Sequence, residues 1–278
     1  MCLFISKYKR KNAEITLRNK GGIPMIDIHC HILPGIDDGA QTIEESLKMA
    51  KHAANEGIKK IIATPHHNNG KYENTAFDII AKVDELNIAI KEENLSIQIL
   101  PGQEPRIYGE FLEDYEQGKI LTLNQSDYVF IELPSNHVPR YTKQLLYDIQ
   151  LVGIQPIIVH PERNQEIIEN PNILYKLVEQ GANTQVTASS VTGHFGKNIK
   201  KITLKLIEAN LTHFIASDAH NLSGRSFRLG EAYDVIEQEF GMDMVYLFQE
   251  NAELLIGGKT IYREVPEEIK RKKIFGIF

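Results

Sequence analysis

Short apolar runs alternate along the chain with longer segments in which apolar residues recur at helical spacing. The short runs predict seven β-strands, at residues 25–29, 60–63, 97–100, 128–131, 155–159, 185–187 and 213–216. The longer segments predict helices at residues 74–93, 140–152, 171–179, 198–208, 227–239 and 244–255, besides an earlier helix that stops at Gly57. A repeated strand-then-helix order is typical of a parallel sheet.

The earliest predicted helix has a recognisable start and stop. Thr42 and Glu45 form a capping box at its beginning, and Gly57 ends it. Closure of the repeated units into a barrel resembling a TIM barrel is the simplest α/β arrangement. An open doubly wound sheet is the alternative, and it is disfavoured because no Gly-x-Gly-x-x-Gly turn opens a helix in this sequence.

Composition and charge restrict the class of protein. The length of 278 residues suffices for one α/β barrel, and the formal net charge of -6 argues against a nucleic-acid-binding protein. Two cysteines cannot build a disulfide framework, and no apolar run approaches the roughly 18 residues of a membrane span. We therefore expect a cytoplasmic protein that is not integral to the membrane.

Three regions are expected along the chain. Residues 1–24 are expected to be a disordered extension or to lie upstream of a true start at Met25. Residues 25–263 are expected to form the barrel, and residues 264–278 a basic and aromatic C-terminal tail. Such a tail is able to dock on a partner or a membrane surface, or to pack on the barrel.

Histidines and carboxylates follow six of the seven predicted strands. The carboxyl ends of the strands converge on one face of a parallel barrel, so we expect these side chains to meet. They would repel one another or take up protons unless cations lay between them, which predicts a metal site. The candidate ligands are His29, His31, Asp38, His66, Glu104, Glu132, His160, Asp218 and His220.

The ligand types limit the metal and separate these candidates from neighbouring residues. Nine candidates suit two or three ions, and His nitrogen with carboxylate oxygen but no thiolate suits manganese, iron or zinc. His29 and His31 point to the same side of a strand, whereas Cys30 points to the other side and is expected in the core. His52 and His213 do not follow a strand and are expected to be structural.

Two arginines add an element that is able to bind phosphate. Arg163 and Arg225 follow candidate ligands on their loops, and their guanidinium groups are able to clamp the non-bridging oxygens of a phosphate. Because metal ions also activate water, the set indicates hydrolysis of a phosphate ester. Ion pairing at the surface is the alternative role for both arginines.

Several motifs resemble those of the PHP (polymerase and histidinol phosphatase) superfamily. They are His29-Cys30-His31, the turn Pro65-His66-His67, Gly102-Gln103-Glu104, His160-Pro161-Glu162-Arg163 and Ser217-Asp218-Ala219-His220. Further segments are similar to those of manganese-dependent bacterial protein-tyrosine phosphatases of capsule and exopolysaccharide loci, of the CpsB/CapC type. They are Asp37-Asp38-Gly39, Ala63-Thr64-Pro65-His66-His67-Asn68, Glu104-Pro105-Arg106-Ile107-Tyr108 and the ending from Lys272 to Phe278.

This resemblance implies a distorted (βα)7 barrel, the PHP fold, that holds three manganese ions. In the implied arrangement one ion is held by His29, His31, Glu104 and Asp218, a second by Glu104, Glu132 and His160, and a third by Asp38, His66 and His220. Arg163 and Arg225 would bind the phosphate of the substrate. A metal-bound hydroxide would attack phosphotyrosine directly, which agrees with the lack of a Cys-x5-Arg loop in this sequence.

The substrate that the resemblance implies is the phosphorylated, tyrosine-rich tail of a bacterial tyrosine autokinase that controls polysaccharide export. This partner would bring the protein to the inner face of the membrane. Neither composition nor motif spacing indicates the partner.

Three other functions stay open at this stage. The same metals would suit a small-molecule phosphatase, for example one that acts on histidinol phosphate. A metal-dependent amidohydrolase also begins with His-x-His, but it usually has a metal-bridging lysine after strand four, where this chain has Glu132-Leu133-Pro134. A non-catalytic, metal-stabilised module that binds a kinase is the third. The proton donor to the leaving phenolate is open between His67 and His137.

Overall fold

The computed structural model describes residues 24–269. Its strands are β1 Met25–Cys30, β2 Ile58–Ala63, β3 His66–His67, β4 Gln98–Pro101, β5 Glu104–Pro105, β6 Tyr128–Ile131, β7 Gln155–Val159, β8 Asn183–Thr187 and β9 Phe214–Ala216. Its helices are α1 Ile43–Asn55, α2 Ala76–Glu92, α3 Phe111–Glu116, α4 Thr142–Leu151, α5 Gln165–Glu169, α6 Asn172–Glu179, α7 Ala188–Thr192, α8 Lys197–Glu208, α9 Leu229–Phe240 and α10 Met242–Ile256. The predicted extension, apart from Pro24, and the tail beyond residue 269 lie outside this range.

All of the strand pairs are parallel, and the strands form sheets of order β1-β2-β4, β3-β5 and β6-β7-β8-β9. Backbone hydrogen bonds join these sheets to one another. The amide of Asp218, beyond β9, donates to the carbonyl of His29 in β1, and the amide of Glu132, beyond β6, donates to the carbonyl of Pro105 in β5, each at 2.9 Å. The sheets therefore follow one another around a distorted TIM-like barrel.

The seven predicted strands appear as β1, β2, β4, β6, β7, β8 and β9, with each end within two residues of its predicted position. The prediction of an α/β barrel is confirmed. The prediction of a turn at residues 65–67 was wrong, because His66–His67 forms β3 and pairs with Glu104–Pro105. Strands of two residues are too short to show an apolar alternation, and the short helices α3, α5 and α7 were not predicted for the same reason.

The start of α1 follows the predicted capping pattern in part. The Thr42 side chain accepts a hydrogen bond from the amide of Glu45 at 3.3 Å, as an N-cap residue does. The Glu45 carboxylate accepts from the amide of Gln41 at 2.7 Å, one residue before the position that a capping box uses. The predicted helix at 227–239 begins at Leu229, because Arg228 has a φ of 53° and lies outside the right-handed helical region.

Alternate residues of the strands fill the inside of the barrel. Ile28 of β1, Ile62 of β2, Phe130 of β6 and Phe214 of β9 belong to one buried cluster, which α10 closes at one end. Two further clusters lie between the outer faces of the strands and the helices. Within the described residues, every helix is too short or too polar to span a lipid bilayer. The buried cluster inside the barrel thus packs together strands β1, β2, β6 and β9, beyond or within which predicted site residues lie.

We predict that Gly39→Ala destabilises the protein by about 1–3 kcal/mol, the usual cost of overpacking a tight site. A Cβ at residue 39 would stand 1.9 Å from the carbonyl oxygen of His31, so the loop after β1 has to move. Urea unfolding followed by circular dichroism measures the loss. Gly109→Ala is the control, since a Cβ there meets no atom within 4 Å in the described structure. Equal stability of both variants would contradict the prediction.

Candidate metal centre

All nine predicted ligands lie at the carboxyl ends of the strands. His29 lies in β1 and His31 directly follows it, while Asp38 lies in the loop before α1. The pairing of β3 with β5 sets His66 beside Glu104. The remaining four follow strands β6, β7 and β9 and are Glu132, His160, Asp218 and His220. The barrel therefore brings together side chains that are up to 191 residues apart in the sequence, from His29 to His220.

The innermost group consists of His29, His31 and Glu104, whose ligand atoms all lie within 4.8 Å of one another. His29 Nε2 lies 3.4 Å from Glu104 Oε1, and His31 Nε2 lies 3.3 Å from Glu104 Oε2. Asp218 faces the same histidines, with Oδ1 at 3.5 Å from His29 Nε2 and 3.4 Å from His31 Nε2. These four residues are the set that the resemblance assigns to one ion.

A second group combines His31, Asp38, His66 and His220. Asp38 Oδ1 lies 3.5 Å from His66 Nε2 and 3.4 Å from His220 Nε2. The rings of His31 and His220 lie with their centroids 3.7 Å apart. The resemblance implies Asp38, His66 and His220 for this ion, and the geometry adds His31 as a neighbour shared with the innermost group.

A third group combines His66, Glu104 and Glu132. His66 Nδ1 lies 2.8 Å from Glu104 Oε2 and 3.8 Å from Glu132 Oε2. His160 is not a member of this group of three, but its Nε2 lies 2.8 Å from Glu104 Oε1. Glu104 therefore contacts residues of all three groups and links them into one cluster.

Three buried ligand atoms of the cluster make no hydrogen bond of good geometry within the described part of the chain. They are Nδ1 of His66, Oε2 of Glu104 and Nε2 of His220. The 2.8 Å contact between the first two is close but poorly aligned for a hydrogen bond. A buried polar atom without a partner costs free energy, so such atoms are rare unless a ligand completes them. Lone pairs of imidazole nitrogen and carboxylate oxygen at this spacing fit divalent cations. The residues present therefore fit a metal centre.

Electrostatics keep the central carboxylates ionised. Burial by itself would raise the pKa of Glu104, but the neighbouring His29 and His66 outweigh it and hold that pKa well below its usual range. Burial also opposes ionisation of Asp218, and the charges of Arg163 and His29 outweigh it and hold its pKa well below the usual value. Metal ligands have to be deprotonated, and both carboxylates meet this condition.

The histidines divide into two kinds. Burial and the charge of Arg163 lower the pKa of His160 to about 4, and burial with the charge of His31 lowers the pKa of His220 to about 4. His29 and His31 are also desolvated, but the carboxylates around them raise their pKa values above the usual one. His160 and His220 are thus neutral at pH 7, whereas protons compete with a cation for His29 and His31 more strongly than for a free imidazole.

Both predicted arginines reach the cluster at one carboxylate. Arg163 donates from Nη1 to Asp218 Oδ2, and Arg225 donates from Nη2 to the two oxygens of Asp218 at 3.1 and 3.0 Å. Arg225 Nη1 also lies 3.6 Å from Asp38 Oδ2. The two guanidinium groups stand together at one edge of the cluster, where a phosphate could bind both of them.

Two site residues adopt the left-handed backbone conformation. His160 has a φ of 36° and Asp218 a φ of 52°, which residues other than glycine seldom adopt. Such conformations persist where the surrounding structure over-determines them, and they cluster at active sites. These conformations turn the backbone just beyond β7 and just beyond β9, so that the side chains of His160 and Asp218 face the cluster.

Sequence reasoning missed the residues that orient these ligands. Asp37 Oδ2 lies 2.6 Å from His31 Nδ1, and Gln185 Oε1 lies 2.9 Å from His29 Nδ1. Partners of this kind fix the orientation of a ligand ring. The signal for Asp37 was its place beside Asp38. The signal for Gln185 was a polar residue in the predicted strand that lacked a candidate ligand of its own.

Arg106 was also missed as a site residue, although its segment was part of the resemblance. Its Nε and Nη2 donate to the two oxygens of Glu132 at 2.8 and 3.2 Å, which is a bidentate pair. Burial and the charge of Glu104 raise the pKa of Glu132, and Arg106 opposes that shift. Arg106 therefore favours the ionised form of a candidate ligand.

Four further histidines were considered in the sequence and are not part of the cluster. His52 in α1 pairs with Glu56 at 3.2 Å, and the buried ring of His213 accepts a hydrogen bond from the amide of Thr184. His67 follows His66 in β3 and therefore points to the opposite face. His137 is exposed, with its ring beside Asn136.

Residues 25–257 match the protein family described as "Capsular polysaccharide synthesis, CpsB/CapC". The chain belongs to the CpsB/CapC family. The tyrosine-protein phosphatase YwqE of Bacillus subtilis, strain 168, is 52% identical to it over 254 residues, which cover 91% of this chain and 100% of that protein. The resemblance to CpsB/CapC proteins that the sequence motifs indicated is confirmed.

Solved structures agree with this CpsB/CapC membership. A crystal structure from work on YwqE of Bacillus subtilis and CpsB of Streptococcus pneumoniae, described as metal-dependent tyrosine phosphatases, has a TM-score of 0.87 and 52% identity to this chain. The match covers 89% of this chain and 100% of that one. The phosphotriesterase homology protein of Escherichia coli has a TM-score of 0.52 at 11% identity, with 85% and 99% covered, and it shows similarity of fold alone.

Proposed function

We propose that this CpsB/CapC protein is a metal-dependent protein-tyrosine phosphatase that hydrolyses phosphotyrosine with water as the nucleophile. The observation that carries the proposal is the cluster of nine histidines and carboxylates with two guanidinium groups at its edge. Membership of a family in which YwqE is a tyrosine-protein phosphatase supports the same reaction. The sequence contains no Cys-x5-Arg loop, so a phosphocysteine intermediate is not expected.

The metal centre in this proposal contains three ions, with manganese as the expected metal and iron or zinc as alternatives. The residues that would hold them are His29, His31, Asp38, His66, Glu104, Glu132, His160, Asp218 and His220. Bound divalent cations supply positive charge that makes water more acidic and offsets the charge of the phosphate.

The residues of the chain bind and orient the phosphate in this reaction. Arg163 and Arg225 are positioned to donate to non-bridging phosphate oxygens and to stabilise the charge that gathers on them during transfer. The oxygen of water forms a bond to phosphorus while the bond from phosphorus to the phenolic oxygen breaks. The phenolic oxygen gains one proton, and the products are tyrosine and inorganic phosphate.

The proposed substrate is the phosphorylated, tyrosine-rich tail of a bacterial tyrosine autokinase, and the proposed process is control of capsular or exopolysaccharide synthesis. The family description, capsular polysaccharide synthesis, supports this process. A protein that acts on such a kinase would work in the cytoplasm and meet its partner at the inner face of the membrane.

We predict that metal-stripped protein releases no phosphate from a phosphotyrosine peptide and that added manganese restores the release. The cluster gathers several carboxylates and histidines whose charges a cation has to balance. The experiment titrates manganese into the stripped protein and compares the peptide with histidinol phosphate. Metal binding without phosphate release from the peptide would favour a non-catalytic kinase-binding module. Faster release from histidinol phosphate would favour a small-molecule phosphatase.

A further inference from the structure

The loop between β9 and α9 holds an exposed leucine beside the cluster. The amides of His220 and Asn221 both donate to the carbonyl of Arg225, at 2.8 and 3.1 Å, and the Asn221 side-chain oxygen accepts from the Arg225 amide at 3.2 Å. These bonds close the loop on itself and leave Leu222 near its tip with 42% of its surface exposed. Because the loop also brings Arg225 to Asp218, Leu222 has a fixed position relative to the proposed phosphate site.

A cavity of about 240 Å³ lies between this loop and α1, and we call it the flanking cavity. Asp38 and His220 of the cluster line part of it, together with two charged residues of α1, and Leu222 is the exposed apolar residue of the lining. Ala40 and Met49 also line it but are only 1% and 2% exposed and belong to the core, so the wall that they support is rigid. The flanking cavity is therefore continuous with the candidate metal centre and offers an apolar side chain a place to bind.

A second cavity of about 320 Å³ lies beyond Leu222 and is lined by that residue together with His52, Ser226 and Arg228. Leu222 thus stands as a ridge between two depressions, of which only the flanking cavity reaches the cluster. An extended peptide sets alternate side chains on the same face at roughly 6–7 Å. One phenyl ring does not fill two neighbouring depressions, whereas alternate side chains of an extended peptide are able to occupy both.

We propose that the flanking cavity binds an apolar side chain two residues from the phosphotyrosine of an extended protein segment, on the same face of that segment, and that Leu222 determines this preference. The inference rests on the proposed phosphatase function and specifies the sequence around the substrate tyrosine. The occupant is a substrate side chain because Asp38 and His220 line the cavity, which places Leu222 next to the cluster at which the phosphotyrosine would bind.

The test uses the manganese-loaded full-length protein and two phosphotyrosine peptides that have either leucine or serine at the positions two residues before and two residues after the phosphotyrosine. We expect the wild-type protein to show a KM at least about tenfold lower for the leucine peptide, as apolar pockets discriminate by this order. Leu222→Ser should remove the difference and leave turnover of p-nitrophenyl phosphate, which has no flanking side chains, unchanged, because serine removes the apolar surface without adding a charge. Leu151→Ser is the matched control, because Leu151 is 67% exposed at the end of α4, away from both cavities.

Each outcome of this test bears on the inference. Loss of the leucine preference in the Leu222 variant alone supports it. An equal loss with p-nitrophenyl phosphate would overturn it, because the flanking cavity would then bind the aromatic ring. Peptide hydrolysis by the wild-type protein without any preference would overturn this inference and leave the phosphatase function intact. Absence of hydrolysis of either peptide would overturn the phosphatase function and this inference with it.

Discussion

Glu104→Gln should reduce phosphotyrosine hydrolysis by more than about 100-fold. Loss of a residue that only supports a metal ligand already lowers metal affinity or activity by about 10- to 100-fold. Glu104 is fully buried among four histidines, with His66 Nδ1 and His160 Nε2 each 2.8 Å from its oxygens. Glutamine keeps the shape of the side chain but removes the negative charge that balances the bound cations. The loss should therefore appear in metal content as well as in kcat.

The Glu104→Gln experiment measures bound manganese by elemental analysis, phosphate release from a phosphotyrosine peptide, and the fold by circular dichroism. Glu110→Gln is the control, since Glu110 lies in the same segment but is exposed to solvent. A folded Glu104 variant with full metal content and full activity would show that Glu104 is not a metal ligand.

Arg163→Ala should lower kcat on a phosphotyrosine peptide by about 10²–10³-fold, the usual effect of removing one donor that stabilises charge in a transition state. Arg163 lies on the loop after β7 and donates to Asp218 at the edge of the cluster. The buried Glu162 holds that loop by accepting hydrogen bonds from the Thr187 amide at 2.9 Å and the Ser190 hydroxyl at 2.7 Å. A bound phosphate would therefore meet a guanidinium that is already in position.

Arg163→Lys separates charge from geometry, because lysine keeps the charge but lacks the planar fork of the guanidinium. We expect this variant to recover only part of the lost activity, with metal content close to that of the wild-type protein. Arg140→Ala is the control, since Arg140 is exposed in the segment before α4. If Arg163→Ala loses metal in proportion to activity, Arg163 supports the metal centre through Asp218 and its role as a phosphate ligand is contradicted.

Most strands of the barrel could be predicted from local sequence patterns. Tyr128–Ile131 and Gln155–Val159 were predicted with their observed bounds, because buried parallel strands are short continuous apolar runs between polar segments. The segment at residues 65–67 was predicted incorrectly. His66–His67 forms a strand only because Glu104–Pro105 lies beside it, and this pairing over 38 residues leaves no local signal.

In the candidate site, too, some features could be predicted from local sequence and others could not. The residue types were visible at the strand ends, because parallel strands deliver their carboxyl ends to one face. The partners were not visible. Gln185 orients His29 across 156 residues, and Arg106 pairs with Glu132 across 26 residues. Which polar residues of neighbouring strands face each other depends on strand register and on barrel closure, which local patterns do not encode.

The sequence by itself determined the alternation of strands and helices, the family, and the nine histidines and carboxylates with their two arginines, because these depend on local periodicity and on residues just past each strand. The tertiary structure decided how those residues group, with Glu104 at the centre and both arginines on Asp218. It also decided the left-handed turns at His160 and Asp218. The physical reason is that contacts between distant segments arise only when parallel pairing closes the barrel and sets each strand end against its neighbours.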